Sequence, residues 1–104
     1  MNTALAVQIL RYVSDHQPGW IESKLVDADG KSHIFTDKVP IFTCADLDAK
    51  SKYPQPGEIR CEAVSESKDL QGRALITIDT VDGVESTGGL SRFVVAAEQI
   101  SDYT

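Results

Sequence analysis

The chain has 104 residues, 41% of them hydrophobic and 25% charged, and its 16 acids against 10 bases leave a net charge of −6. This is the size of one domain, expected over 1–104, that can bury roughly 65% of its unfolded surface without staples, so disorder over the whole length is excluded. The acids outnumber the bases by nine to seven through residue 65 and by seven to three beyond it, and neither half offers the Lys and Arg cluster that phosphate binding requires.

Taken in chain order, the first run, "MNTALAVQILRYVSDH", reads as strand. Leu5, Val7 and Ile9 alternate, and Val, Ile and Tyr favour extended backbone, although Ala6, Ile9, Leu10 and Val13 also fit a helix face. Gln8 and Arg11 interrupt it, so it is too short and too polar to span a membrane, and no basic segment precedes it. The cytoplasm is the expected compartment. There Cys44 and Cys61, with no Cys-x-x-Cys spacing, are expected as free thiols, Cys61 in the core.

The loop Asp15 to Gly19 leads into "WIESKLVD", and "KSHIFTD" follows after Asp27-Ala28-Asp29-Gly30. This turn invites comparison with a calcium loop. If Gly30 is the sixth position of such a loop, Asp27 and Asp29 fill the third and fifth, but Leu25 and Thr36 fall on the first and twelfth. Leucine offers no ligand and threonine cannot clamp a cation with two carboxylate oxygens. The expectation is a hairpin: a type I turn closed by Gly30 in the left-handed conformation, with Asp27 bonding to the backbone.

"KVPIF" is expected as an edge strand, a strand start or a bulge, because Pro40 has no amide hydrogen. One short helical turn is expected near residues 44–50, where Thr43 and Asp46 form a weak capping box. "YPQPG" reads as a loop. "GEIRCEAVSE" alternates with period two, Ile59, Cys61, Ala63 and Ser65 against Glu58, Arg60, Glu62 and Glu66. "RALITIDTV" and "LSRFVVAAEQI" supply further strands, with turns at Asp82-Gly83 and at Thr87 to Gly89. About six short strands with so little helix predict an all-β fold, a small antiparallel barrel or sandwich.

The residues able to carry chemistry are few. His33 and His16, with Asp15 or Asp27, offer ligands or a base, and Cys44 beside a helical turn offers a nucleophile, but no spacing motif joins them. Ser91 lacks a nucleophile elbow, and Gly88-Gly89 lacks the Lys and helix of a phosphate loop. Trp20 after Pro18-Gly19, Tyr53 between Lys52 and Pro54, and His33 are the candidate binding residues.

Gly-aromatic-aliphatic-Glu at Gly19 to Glu22 is followed by Asp-x-x-Gly-x-x-His-x-Phe at Asp27 to Phe35 and Lys-x-Pro at Lys38 to Pro40. Tyr-Pro-x-x-Gly-x-Ile-x-Cys comes at Tyr53 to Cys61. Together these resemble small soluble bacterial all-β proteins of about this length that are uncharacterised. The resemblance implies a stand-alone all-β protein and assigns no residue a role.

Two functions follow as expectations. One is a non-catalytic module that binds another protein, for instance a basic one, or a second copy of itself; it calls for no cofactor. The other is a small metal-dependent or thiol enzyme built on His33, His16 and Cys44, which requires those side chains to converge in one cleft.

Overall fold

A computed structural model describes residues 3–14 and 19–102, and nearly all of its regular structure is antiparallel strand. The strands are β1 (Thr3–Ser14), β2 (Trp20–Val26), β3 (Ser32–Lys38), β4 (Gln55–Lys68), β5 (Ala74–Thr80), β6 (Arg92–Ala96) and β7 (Ile100–Asp102). One short helix, α1 (Val39–Phe42), and a 3-10 turn, Ala97–Gln99, complete the set. The sheet runs β3-β2-β1-β4-β5-β6, and β7 pairs with β1. The all-β expectation therefore holds, in the form of one sheet curled into a half-barrel.

The curl follows from the side chains. Leu5, Val7, Ile9, Ile21, Leu25, Phe35, Ile59, Ile78, Phe93 and Val95 are buried on the concave face, at every second position of their strands. Each of the larger ones contributes on the order of 1.5–3 kcal/mol by leaving water. The two edge strands meet through them: the Phe35 ring on β3 packs edge-on against Phe93 on β6, with centroids 5.7 Å apart. Backbone bonds at the seam run through turns: the Ala28 N–H donates to the Val94 carbonyl (2.9 Å) and the Thr87 N–H to the Ile34 carbonyl (2.7 Å). Gln99 adds a third link, its amide donating to the Val26 carbonyl (2.8 Å) while its side-chain oxygen accepts from the Ala96 N–H.

The opening motif is a turn. The Asp27 N–H donates to the Lys31 carbonyl, the Gly30 N–H donates to the Asp27 carbonyl, and Gly30 sits at φ +80°. The Asp27 carboxylate accepts from the N–H groups of Asp29 and Lys31, both at 2.9 Å. The same five-residue plan recurs at Asp69 to Arg73, and at Ser86 to Leu90, where the Ser86 hydroxyl stands in for the carboxylate. All three have glycine at the fourth position because its φ, +80° or +81°, crowds a side chain against the backbone.

Three local expectations are corrected. Past Lys38, which ends β3, "KVPIF" is not strand: Val39–Phe42 form α1, and Pro40 lies in the first turn, where a missing amide hydrogen costs nothing. The helix is therefore upstream of residues 44–50, which form bends and turns instead. Thr43 and Asp48 there accept bonds from the Ala45 and Lys50 amides, local bonds that compete with a helix. In β4, Ile59 and Cys61 face the core, but the pairing with β5 shifts register between Ala63 and Ser65 and ends the alternation. Beyond that bulge β4 is exposed from Glu62 to Lys68, while β5 stays paired with β6 as far as Leu75. Among the described residues no helix is long and apolar enough to cross a membrane.

Candidate functional site

β3 separates the predicted site residues into two groups. His33 stands at its start, beside the Asp27–Lys31 turn. Lys38 ends it, pairs with Trp20, and leads directly into α1, whose first N–H donates to the Gly19 carbonyl (3.0 Å). Trp20 is half-buried at this α1 end, and Cys44 is exposed just beyond the helix. Tyr53 lies in the connection from α1 to β4, half-buried against the core, with its hydroxyl donating to the Asp48 carbonyl (2.8 Å). Five residues of strand, about 17 Å, divide His33 from Lys38. The structure thus does not bring His33 together with Cys44, and His16 lies outside the described residues.

His33 has its own partner. Its Nε2 is 2.8 Å from the second Asp27 carboxylate oxygen, with the two side chains only 10% and 16% exposed. Its ring meets Phe93 edge-on with centroids 4.9 Å apart. Burial works to raise the Asp27 pKa, but the bonds from His33 and from the Lys31 and Asp29 amides outweigh it, so the carboxyl is held below its ordinary value. The pair closes a turn onto the seam, and it lines neither the groove described below nor the hollows beside that groove. Cys61 is a core thiol: burial pushes its pKa up, and Thr3 donates to its carbonyl. Among the described residues no three His, Cys, Asp or Glu side chains are grouped to hold a metal ion.

A groove of about 380 Å³ lies at the α1 end, between the helix and the first half of β4. Ile41, Phe42 and Cys44 form one wall; Pro56, Gly57 and Glu58 form the other, with Arg60 at one end. Past Arg60 lie two smaller hollows that share Val81 and Asp82, one reaching Pro40 and the other Thr3, and Arg60 approaches Asp82 there at 3.8 Å.

The groove exists because β4 outruns β5. The last pairing is Cys61 with Thr80; the Val81 N–H then donates to the Arg60 carbonyl (3.3 Å), and the chain turns away at Asp82-Gly83. β1 covers the other edge of β4 in unbroken register from Thr3–Cys61 to Ile9–Gln55. Backbone groups of alternate residues point to opposite edges of a strand, so Glu58, like Arg60, directs its N–H and C=O away from β1 and into the groove. Pro56 occupies the same parity, a position where no ladder bond needs an amide hydrogen. Gly57 allows α1 to come this close. A Cβ there meets Ile9 at 2.8 Å and the Phe42 carbonyl oxygen at 3.1 Å.

Sequence reasoning singled out Cys44 but missed the helix beside it that makes the wall. Its signal was Val39 and Phe42, three apart and both buried, a helical spacing inside a run that reads as strand. Comparison with known proteins adds nothing to the geometry: no family model matches the chain, and no curated protein and no solved structure matches it.

Proposed function

We propose that this chain is a non-catalytic protein-binding module whose partner seats in the groove between α1 and β4. One observation carries the reading: the groove sets an uncovered strand edge beside apolar helix surface, the two features by which protein segments are captured. The net charge of −6 favours a basic partner. An enzyme reading draws on the exposed thiol of Cys44 alone, for no histidine among the described residues lines the groove beside it.

Cys44 also provides the test. It is the exposed thiol, while Cys61 is buried, so a benzophenone maleimide attaches at the groove without mutation. Illumination in an extract of the source cells is expected to give a discrete adduct, competed by unlabelled protein. The partner, identified by mass spectrometry and purified, then rebinds the unlabelled chain. A control carries the label on L70C in a C44S background, at the exposed turn between β4 and β5. Equal adducts from both positions, or none from either, overturn the proposal. An adduct of twice the chain mass makes the partner a second copy.

A further inference from the structure

We infer that the occupant of this groove is an extended peptide segment of the partner, added to β4 as a further strand and carrying a basic residue opposite Glu58. The inference rests on the protein-binding reading and specifies how that binding is made.

The backbone sets the class of ligand. Glu58 presents a donor and an acceptor side by side toward the groove, and Pro56 presents a carbonyl one pair of residues earlier. Among the described residues no main-chain or side-chain group is bonded to Glu58 on that edge. Alternating donors and acceptors at this repeat match the main chain of an extended polypeptide. From Pro56 to Arg60 the edge is about 13 Å long, room for a segment of roughly four residues. It ends where Val81 takes the Arg60 carbonyl, so an added peptide extends the line of β5 rather than competing with it.

The side chains set its composition. Gly57 and Ile59 are buried, so Glu58 points to the outer face, and the peptide residue paired with it points the same way. Glu58 forms no ion pair among the described residues, whereas its neighbour Arg60 is engaged by Asp82. A Lys or Arg therefore fits opposite Glu58. The peptide residues on either side turn to the other face, where Pro40 and Ile41 offer apolar surface and Gly57 leaves little depth.

The probe is a phage-displayed library of random peptides, panned on the full-length protein and followed by synthesis of the enriched family. The expected family is extended, with a Lys or Arg between apolar residues. Its binding slows exchange of the Glu58 amide at least about tenfold, while Ile59, already bonded to β1, changes little. E58P removes one groove-facing N–H and no β1 ladder bond, and is expected to weaken the peptide about tenfold. E58K should turn the selected residue from basic to acidic. N-methylation of the peptide amide that donates to Glu58 gives the same loss on the unaltered protein, so the test does not depend on E58P folding. A library that yields no family, or one indifferent to E58P that leaves the Glu58 amide unprotected, overturns strand addition. If the Cys44 label still finds a partner, the binding module stands and only its mode falls; if both fail, both readings fall.

Discussion

The turns Asp27 to Lys31 and Asp69 to Arg73 share a plan, residue for residue, yet they hold different parts of the molecule. Each opens with an aspartate whose carboxylate accepts two backbone amides, and each closes on glycine at a left-handed φ. In the first, the spare carboxylate oxygen reaches His33 under the Phe93 ring, at the barrel seam. In the second it reaches the Arg73 guanidinium (3.1 Å), a pair more exposed than the first, with Arg73 46% and Asp69 23% exposed. An identical local motif is thus a brace in one place and a tip in the other. The turn sequence decides its conformation, and the residue just beyond it decides what the turn is worth.

Asp27→Ala breaks the comparison most strongly. It strips two amides of their acceptor and leaves the His33 nitrogen buried without its partner, an expected loss of about 2–3 kcal/mol in urea unfolding. Asp69→Ala, whose partner Arg73 keeps access to water, is expected to shift the midpoint much less; equal losses would show that burial of His33 is irrelevant.

Acid sharpens the contrast next. The Asp27 carboxyl is held below its ordinary value in the folded state, so the stability it adds is present above the unfolded value of about 3.9 and is lost as pH falls through the folded one. The Asp69 carboxyl is lowered too, first by the Arg73 amide, and has the same sign. Thermal unfolding midpoints below pH about 4 should therefore fall less steeply in Asp27→Asn than in the parent. An unchanged slope removes Asp27 from the acid limb.

Arg73 joins the two turns, because its guanidinium also donates to the Ala28 carbonyl (2.6 Å). Arg73→Ala is expected to speed exchange of the Ala28 amide, which is bonded to Val94, with global stability within about 0.5 kcal/mol. At the small end stands Leu70, fully exposed in the second turn. Leu70→Ser should leave the unfolding midpoint where it is, and a clear loss would mean that the Leu70 side chain itself packs on something.

How far the sequence carries can be argued from the same residues. The Asp27–Lys31 turn and the alternation at Ile59 and Cys61 were legible because φ preference and period are local properties. α1 was not: Val39 and Ile41 favour strand, and Pro40 removes an amide, yet Val39 and Phe42 drop into the core beside Gly57 and the Gly19 carbonyl caps the first turn. Tertiary burial overrode local preference. The groove escaped for a related reason, since it depends on where β5 stops relative to β4, a register that no single stretch encodes. The Asp27–His33 pair sits between, for both residues drew notice and only the hairpin register made them neighbours.

The seam has a consequence for how the chain is made. Phe35 is covered by Phe93, 58 positions later in the sequence. At about 5–20 residues per second, synthesis leaves the Phe35 ring without that cover for roughly 3–12 s. Through that interval the first hairpin has its curled sheet but no far wall, and it is the nascent chain, more than the finished protein, that depends on protection from aggregation.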